Sequence, residues 1–491
     1  MARQGRALGR WLPTIGARVT LTDARPAEKL TDAIREFADH DHVTIVPGGH
    51  PLDLLDDCDL LCVSGGVPLT IPIIQAALAR GIRVANDAQL FLERCPAPVI
   101  GITGSAGKTT TTALVGAMCR HWTDSSSENQ NPYSPQRRGE RRENQGETGE
   151  GQKQAATGRK TFVGGNIGDV LLDVLPQIAP EDRVVMELSS FQLDLITTSP
   201  PIATVLNLTP NHLDRHGTMA AYRAAKAHIY AHQTPDQIAV FGWDDPNAHD
   251  MSTEAPGRVA YFSMRERVTS GAYLDGAHLT VIGASASAGD PVIVCPRDSI
   301  QLRGDHNVLN VLAACAMAGA GGVPPESMRA AIASFTGEAH RMEPVATING
   351  VTWINDSIAT APERVSAALS SYNEPIVLLA GGRDKDLPWK AMIALAMQTC
   401  RAVIAFGEYG PQIAAQMQRA QAEQPDEAER VRTITVSGLA EAVHAAKAIA
   451  QPGDVVLLSP GGTSYDAYQD FAARGQHFRD LVQALATMRD Q

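Results

Sequence analysis

The fold of this 491-residue chain is decided by residues 98–118, PVIGITGSAGKTTTTALVGAM. The apolar run at its start predicts a buried strand, a glycine turn follows, and Lys108 and Thr109 open a helix. Backbone N–H groups in such a turn bind phosphate, and the helix N-terminus adds partial positive charge. The strict spacing of a phosphate loop requires glycine at position 102, where this chain has Ile102. Because the strand and the helix supply the required context, we predict a nucleoside triphosphate site rather than a chance glycine turn.

Short apolar runs alternate with helical patterns on both sides of this stretch. Four runs before it predict strands at 18–23, 42–48, 59–66 and 82–87. Five runs near the end of the chain predict strands at 350–356, 375–382, 401–407, 433–437 and 455–460. Strands that alternate with helices predict parallel sheets covered by helices, so we expect an α/β protein.

Three domains agree with the length of the chain, since a domain averages about 150 residues. We predict a Rossmann-like domain over 1–94, a central phosphate-loop domain over 95–338 and a second Rossmann-like domain over 339–491. A doubly wound domain normally opens with a strand and a glycine turn. Here residues 5–16, GRALGRWLPTIG, already have the pattern of the first helix. We therefore expect the first domain to be truncated and to lack its first strand.

Residues 123–160 form a polar segment within the predicted central domain. The only members of the hydrophobic set in it are Tyr133, Ala155 and Ala156. Such a segment buries too little apolar surface to offset the entropy that it would lose on ordering. We predict a disordered insertion in a surface loop. The alternative, a basic arm that binds nucleic acid, is disfavoured because glutamates are interspersed among its arginines.

Composition and charge exclude several classes of protein. Forty-two Lys and Arg residues against 54 Asp and Glu residues give a net charge of −12, which argues against a general binder of nucleic acid or membrane surfaces. No apolar run approaches the ~18 residues needed to cross a bilayer. Seven scattered cysteines without a CxxC pair predict a reduced, cytoplasmic protein. We expect a monomer whose partners are small molecules.

Polar clusters follow the phosphate loop at 162–169 (FVGGNIGD), 184–194 (VVMELSSFQLD), 204–217 (TVLNLTPNHLDRHG) and 220–232 (AAYRAAKAHIYAH). Glu187 ends an apolar run, where a Mg²⁺ ligand beside a phosphate loop would lie, although an ordinary strand-end acid would explain it equally well. Lys226 shares an apolar helix face with Tyr222 and Ile229. Either its ammonium reaches solvent along that face, or it points toward bound cations.

The phosphate loop and these clusters, in this order, resemble the Mur ligase family of bacterial cell-wall (peptidoglycan) synthesis. The similarity extends through residues 303–314, 339–345, 353–360, 378–389 and 457–478. The segments GGNIG and ELSSFQL are most similar to the member that adds glutamate to UDP-N-acetylmuramoyl-L-alanine. The resemblance implies that ATP phosphorylates the alanyl carboxylate. Glutamate then attacks the acyl phosphate, and the products are an amide, ADP and phosphate.

The resemblance also implies roles for individual residues. It assigns catalysis to Lys108, Glu187, His212 and Lys226. It assigns the ATP contacts to Gly104, Ser105, Gly107, Lys108, Thr109, Thr110, Asn307, Asn310, Arg341 and Asp356. It assigns two Mg²⁺ ions to Thr109, Glu187, His212 and Lys226, the lysine as a carbamate, whose negative charge suits a cation where an ammonium would be repelled. It assigns the UDP-substrate to Asp23, Arg25, Ser64, Gly65, Asn166, Ser189 and Gln192, and the amino acid to Thr360, Lys385, Ser464 and Phe471.

The chain departs from the family pattern at Ile358, where family members often carry a lysine. A positive charge near the phosphates or the substrate is therefore absent or supplied from elsewhere, and Arg364 and Arg383 are the two candidates. The sequence does not decide between D- and L-glutamate, because stereochemistry depends on atomic placement that motifs do not encode.

Two rival functions remain at this stage. The first is another amide ligase of the same superfamily, either a different Mur ligase or folylpolyglutamate synthase, which we expect to differ at GGNIG and ELSSFQL. The second is a catalytically inert nucleotide-binding homologue. Ile358 and the expected lack of the first strand favour this alternative, as signs of lost function. Intact Lys108, Glu187, His212 and Lys226 favour a catalyst over the inert homologue.

Overall fold

The computed structural model describes residues 1, 3–128, 159–166, 170–283, 289–385, 387–423 and 431–487, with only the backbone described for 124–128 and 214. The chain divides into two compact units, Met1–Phe335 and Thr336–Gln491. The predicted boundary between residues 94 and 95 lies inside the first unit. The predicted boundary between residues 338 and 339 lies beside the division.

The first unit begins with a small α/β segment. Its elements are α1 (Arg3–Thr14), β1 (Val19–Asp23), α2 (Thr31–Glu36), β2 (Val43–Pro47), β3 (Leu60–Cys62), α3 (Pro72–Ala79), β4 (Arg83–Ala85) and α4 (Asp87–Arg94). The four predicted strands are confirmed. They form two separate parallel pairs, β1 with β2 and β3 with β4, instead of the single sheet that a Rossmann-like domain predicts. The first element described is a helix, as expected from residues 5–16, and its Ala7, Leu8 and Trp11 are buried.

The rest of the first unit is built on a nine-stranded sheet. Its strands are β5 (Val99–Thr103), β6 (Thr161–Gly165), β7 (Arg183–Glu187), β8 (Ile202–Val205), β9 (Ile238–Gly242), β10 (Arg258–Ser263), β11 (Gly271–Asp275), β12 (His278–Ile282) and β13 (Val292–Pro296). Its helices are α5 (Lys108–Glu128), α6 (Leu171–Val174), α7 (Ser190–Leu193), α8 (Leu213–His216), α9 (Met219–Ala231), α10 (Pro246–Met251), α11 (Asp305–Ala320) and α12 (Pro325–Ser334). The strand order is β13-β12-β11-β10-β9-β8-β5-β7-β6.

Strand β5 lies between β7 and β8 and is parallel to both. Every residue of β5 is buried, because helices cover both faces of the sheet. Ile100 and Ile102 pack into one hydrophobic cluster and Val99 into the other, as the alternation of side chains along a strand requires. The carboxyl ends of parallel strands meet at one edge of a sheet, which is where open α/β proteins bind their ligands.

Helix α5 continues through Glu128, so it includes the first residues of the stretch for which disorder was predicted from residue 123. Residues 129–158, most of the predicted insertion, lie outside the described residues.

The second unit contains a six-stranded sheet with helices on both faces. Its strands are β14 (Glu343–Ile348), β15 (Val351–Asn355), β16 (Ile376–Gly381), β17 (Cys400–Phe406), β18 (Arg432–Thr435) and β19 (Val455–Gly461). Its helices are α13 (Pro362–Leu369), α14 (Lys390–Thr399), α15 (Gly410–Glu423), α16 (Leu439–Ile449) and α17 (Phe471–Thr487). The order β14-β15-β19-β16-β17-β18 is parallel except for β14. The five predicted strands are present, and the α/β prediction is confirmed.

None of the helices in the described ranges is both long enough and apolar enough to span a lipid bilayer.

Candidate active site

The phosphate loop, residues 104–107, joins β5 to α5 and is held in place by the chain that follows β8. The Ser105 amide donates to Asn207 O at 3.0 Å, and the Ala106 amide donates to Asn207 Oδ1 at 2.8 Å. Gly107 has a φ of +81°, and a Cβ atom there would lie 2.2 Å from Asn310 Oδ1. Only glycine fits this position, so the turn that the sequence predicts has its steric reason in Asn310.

Asn310 and Asn307, two of the predicted ATP contacts, are joined by a hydrogen bond from Asn310 Nδ2 to Asn307 Oδ1 at 3.1 Å. Both lie in the first turns of α11. The structure thus brings this pair to the phosphate loop through the close approach of Asn310 to Gly107.

The ammonium group of Lys108 lies over its own loop. Its Nζ donates to Gly104 O at 3.0 Å and to Ser105 O at 3.3 Å. In this position the ammonium faces the loop whose backbone would cradle phosphates.

The carboxylate of Glu187 is buried at the end of β7, with 1% of the residue exposed. Thr109 Oγ1 donates to Glu187 Oε2 at 3.0 Å, and Asn166 Nδ2 donates to Glu187 Oε1 at 2.8 Å. One carboxylate therefore joins the predicted metal residue of α5 to the predicted substrate residue after β6. The burial and these two hydrogen bonds favour the predicted site role over an ordinary strand-end acid, and the role as a Mg²⁺ ligand stays a prediction.

Lys226 is also buried, with 1% exposed, and its side chain points toward the phosphate loop rather than along α9 to solvent. Its Nζ donates to Thr103 Oγ1 at 3.1 Å and to Gly104 O at 2.9 Å, and lies 4.8 Å from the centre of the Tyr222 ring. Burial lowers the pKa of Lys226 well below its usual value, and the positive charge of Lys108 lowers it further. The alternative that Lys226 reaches solvent is therefore wrong.

His212 takes a different place from the other predicted metal residues. It lies on an exposed turn before α8 with a φ of +53°, and its ring packs edge-on against Phe191 with centroids 5.2 Å apart. Three of the four predicted metal residues, Thr109, Glu187 and Lys226, are therefore buried. The fourth, His212, lies on the exposed turn before α8.

Most of the predicted UDP-substrate residues lie at strand or helix ends of the first unit. Asp23 and Arg25 form an ion pair of 2.8 Å after β1, and Asp23 also contacts the N-terminal amino group at 2.6 Å. Ser189 and Gln192 form a capping box at the start of α7, which gives both residues a structural role. Gln192 Nε2 is buried without a hydrogen-bond partner in the part of the chain that the structure describes. Such an atom is available to a ligand.

Ser64 and Gly65 follow β3, on the loop that approaches α7. A Cβ atom on Gly65 would lie 3.5 Å from Gln192 Cγ, in ordinary van der Waals contact. The structure therefore brings Gly65 to Gln192.

In the second unit, Asp356 follows β15 and is buried. Its Oδ2 accepts a hydrogen bond from Ser459 Oγ at 2.9 Å, and its Oδ1 accepts one from the Met342 amide at 3.2 Å. Burial raises the pKa of Asp356 to about 6, although these hydrogen bonds and the charges of Arg341 and Arg364 act in the opposite direction.

The predicted amino-acid residues of the second unit are partly brought together. Lys385 Nζ donates to Thr360 Oγ1 at 3.1 Å. Burial lowers the pKa of Lys385, and the charge of Arg364 lowers it further. Ser464 is buried in the loop after β19, and Phe471 is 37% exposed at the start of α17. The carbonyl of Phe471 accepts a hydrogen bond from Ser357 Oγ at 2.8 Å.

A buried arginine in this region was not singled out from the sequence. Arg474 is 1% exposed and donates from Nε to Ser357 Oγ, from Nη2 to Ser357 O and from Nη1 to Gly462 O, at 2.9–3.2 Å. Burial lowers its pKa to about 10. The sequence around Arg474 gives no signal of this role, because the carbonyls that Arg474 binds, those of Ser357 and Gly462, belong to other loops.

Two residues that support the site in the first unit were also missed as site residues. They are Thr103 and Tyr222, which contact Lys226 and Ser105 respectively. Asn207, which belongs to the predicted polar cluster 204–217, contacts the phosphate loop. Tyr222 had a usable signal, since it precedes Lys226 by one helical turn. Thr103 ends β5 and Asn207 follows the adjacent strand β8, so the contact of Asn207 with the loop depends on strand order.

The donor set fits a divalent cation at Glu187 and Thr109, because Mg²⁺ prefers carboxylate and hydroxyl oxygen. Lys226 fits this site only as a carbamate, which would offer oxygen atoms to the cation, since an ammonium would repel it. No cluster of three or more His, Cys, Asp or Glu side chains suited to a metal occurs within the described ranges.

Comparisons with known proteins agree along the whole chain. Mur ligase family descriptions match at residues 2–86 (MurD-like N-terminal domain), 102–318 (middle domain) and 340–462 (glutamate ligase domain). The UDP-N-acetylmuramoylalanine–D-glutamate ligase of Symbiobacterium thermophilum is 40% identical over 98% of this chain and 96% of its own length. The ligase of the same name from Pelotomaculum thermopropionicum is 36% identical over the same shares of each chain.

Solved structures share the fold. UDP-N-acetylmuramate-alanine ligase of Thermotoga maritima matches with a TM-score of 0.53 at 18% identity, covering 98% of this chain and 97% of that one. FolC of E. coli, solved with DHPP and ADP, matches with a TM-score of 0.53 at 15% identity, covering 82% of this chain and 92% of that one. At these identities the matches show the three-domain α/β architecture alone.

Proposed function

The chain belongs to the Mur ligase family, and from that premise we propose that it joins D-glutamate to UDP-N-acetylmuramoyl-L-alanine with cleavage of ATP to ADP and phosphate. The observation that carries the proposal is the buried group of Glu187, Thr109 and Lys226 beside Lys108 on the phosphate loop. The name of the relatives at 36–40% identity supports D-glutamate as the amino acid. The reaction serves peptidoglycan synthesis, and its nucleotide substrates support a cytoplasmic location.

The first step transfers the terminal phosphoryl group of ATP to the alanyl carboxylate. A carboxylate oxygen forms the new P–O bond, and the bond to the ADP oxygen breaks. The residues need only hold the two anions in line and neutralise their charge. Lys108 and the backbone of 104–107 would hold the phosphates, and Asn166 with the unpaired Gln192 Nε2 would orient the muramoyl-alanine end.

Magnesium would be held by Glu187 and Thr109, with Lys226 as a carbamate and with His212 for a second ion. When bound, it would supply positive charge to the transferring phosphoryl group. The role of the chain is to keep the Glu187 carboxylate oriented, which the hydrogen bonds from Thr109 and Asn166 do.

Carbamate formation at Lys226 is supported by the state of its amine. The lowered pKa favours the neutral amine, which is the form that adds CO₂. Enzyme incubated with ¹³C-bicarbonate should give a carbamate carbon resonance that the Lys226→Met variant lacks. A spectrum identical in the two proteins would overturn this part of the proposal.

The second step is attack by the amine of glutamate on the acyl phosphate carbon. A C–N bond forms, the C–O bond to phosphate breaks, and the amine loses a proton. Lys385 with Thr360 would bind a carboxylate of the glutamate in the second unit, because a dicarboxylate that leaves water needs compensating charge. Ser464 and Phe471 would complete this subsite. All these residues lie in one chain, so a monomer suffices.

An isotope experiment tests the acyl phosphate. UDP-N-acetylmuramoyl-L-alanine labelled with ¹⁸O in its alanyl carboxylate should transfer one ¹⁸O atom to the released phosphate. Labelled phosphate is expected only when D-glutamate is present. Release of unlabelled phosphate would mean that the chain hydrolyses ATP with water, and would contradict a ligase mechanism.

A further inference from the structure

Arg215 joins the loop after β3 to helix α7. Its Nη1 donates to Gly66 O at 3.3 Å, and its guanidinium carbon lies 4.6 Å from the centre of the Phe191 ring. Phe191 also stacks with His216, whose ring is parallel to it (3°) with centroids 5.3 Å apart. An arginine stacked on an aromatic face is held by cation–π attraction and keeps N–H groups free to donate in its plane.

The row of rings continues to the phosphate loop. His216 lies 5.2 Å from Tyr222, and its Nε2 is 2.9 Å from Ser190 Oγ. Tyr222 Oη is 3.2 Å from Ser105 Oγ, and Lys226 Nζ lies 4.8 Å from the centre of the Tyr222 ring. A continuous set of contacts thus leads from Gly66, through Arg215, Phe191, His216 and Tyr222, to Ser105; we call it the 215–222 stack.

The two ends of the 215–222 stack meet different substrates in the proposed reaction. Gly66 adjoins Ser64 and Gly65, which are assigned to the UDP-substrate, and Ser105 belongs to the phosphate loop. The loop after β3 has one further contact with α7, that of Gly65 with Gln192. Arg215 is therefore the charged link between a substrate loop and the element that carries Ser189 and Gln192.

We propose that Arg215 is a positioning residue for the UDP-substrate, which holds the loop 64–66 against α7 through the 215–222 stack. The inference rests on the proposed function, since it assigns that loop to the UDP-substrate. Arg215 need not touch the reacting atoms, because its effect passes through the Gly66 carbonyl and the Phe191 ring.

Steady-state kinetics of Arg215→Ala test the inference. We expect the KM for UDP-N-acetylmuramoyl-L-alanine to rise about tenfold, as loss of one hydrogen bond and one cation–π contact implies. The KM values for ATP and D-glutamate should stay near those of the unsubstituted enzyme. Arg215→Lys should recover part of the loss, because it keeps the charge without the planar stack. Equal changes in all three KM values would overturn the inference.

A matched control and a double-mutant cycle distinguish a specific effect of the Arg215–Phe191 contact from general damage to the fold. Arg80→Ala removes another exposed arginine of the first unit, which pairs with exposed Asp56, and should leave all KM values within about twofold. Phe191→Leu combined with Arg215→Ala should raise the KM less than the product of the two single effects, since both act through one contact. Independent, multiplicative effects would overturn the inference. Absence of UDP-substrate turnover by the unsubstituted enzyme would instead count against the proposed function itself.

Discussion

At the scale of single residues, Glu187 links three predicted functions. It is a predicted metal ligand, and its carboxylate contacts the predicted ATP residue Thr109 and the predicted UDP-substrate residue Asn166. Its two oxygens accept from Thr109 and Asn166, so its orientation is fixed before any ligand arrives. A carboxylate held in this way is preorganised, and preorganised charge is what phosphoryl transfer requires of a protein.

Replacing Glu187 with glutamine should abolish most activity while keeping the fold. The amide preserves shape and one acceptor but removes the negative charge, so we expect kcat to fall at least about 100-fold. The midpoint of thermal unfolding should change little. The control is Glu254→Gln, an exposed partner of Arg223, which should retain activity. An active E187Q enzyme would remove Glu187 from the proposed metal site.

Asp356 should make stability depend on pH. Its pKa is about 6 in the folded chain and about 3.9 in the unfolded chain, so the folded state binds more protons between these values. Its protonated form therefore stabilises the fold at low pH, and this contribution is lost as the pH rises through 6. Asparagine at position 356 does not titrate, so the Asp356→Asn variant does not lose this stability as the pH rises. The free energy of unfolding of the variant, relative to that of the unsubstituted chain, should therefore increase by about 2 kcal/mol from pH 4 to pH 7.

Urea unfolding at several pH values measures this difference. Asp250→Asn, at an exposed aspartate of the first unit, is the matched control and should show no such trend. A stability difference for D356N that is constant from pH 4 to pH 7 would contradict the raised pKa.

Arg364 and Arg383, the two candidates to replace the charge absent at Ile358, differ in their surroundings. Arg383 is paired with Glu408 at 2.9 Å, whereas the charge of Arg364 acts on both Asp356 and Lys385. We therefore predict that Arg364→Ala raises the KM for D-glutamate or ATP about tenfold, as loss of one charge-assisted contact implies. Arg383→Ala, its matched control, should have little effect. The reverse result would assign the charge to Arg383.

At the scale of elements, the phosphate loop depends on Gly107 for two reasons, its positive φ and its contact with Asn310. Gly81 has a similar φ of +72° but open space around its Cβ position. Alanine at Gly81 should destabilise the fold by about 1 kcal/mol because of its left-handed backbone, and alanine at Gly107 by more, because its Cβ also meets Asn310. Only Gly107→Ala should also weaken ATP binding, by at least about tenfold, because it displaces the Asn310 side chain. Calorimetric titration of both variants measures the difference, and equal ATP affinities would contradict it.

The sequence predicted the elements better than their connections. Apolar runs identified ten strands, among them β5, β16 and β19, which are buried and nearly continuous in hydrophobic residues. Strand β14 was missed, since half-buried Glu343–Ile348 on an antiparallel edge contains a proline and no apolar run. The pairing of the first four strands and the length of α5 depend on contacts with residues distant in the chain.

The same reason limits what the sequence could say of the site. Lys108, Thr109 and Glu187 follow from local motifs at strand and helix ends. The burial of Lys226, and its contact with Thr103 and Gly104, follow only once β5 and α9 are packed together. The roles of Arg474 and Arg215 could not be predicted, because their partners, which include the Ser357 and Gly66 carbonyls, lie on other loops.

At the scale of the whole molecule, the residues of the proposed reaction are divided between the two units. The first contains the phosphate loop, Glu187, Lys226 and the loops assigned to the UDP-substrate. The second contains Lys385 and Thr360, assigned to the amino acid, and Arg341 and Asp356, assigned to ATP. The proposed reaction therefore draws on residues of both units.

The most direct test of the account is phosphate release by the full chain with ATP, Mg²⁺ and UDP-N-acetylmuramoyl-L-alanine, comparing D-glutamate, L-glutamate and no amino acid. We expect release with D-glutamate and background release in the other two. Release with L-glutamate alone would keep the mechanism and change the product. Equal release in all three, or none in any, would contradict the assignment of this chain as a D-glutamate ligase.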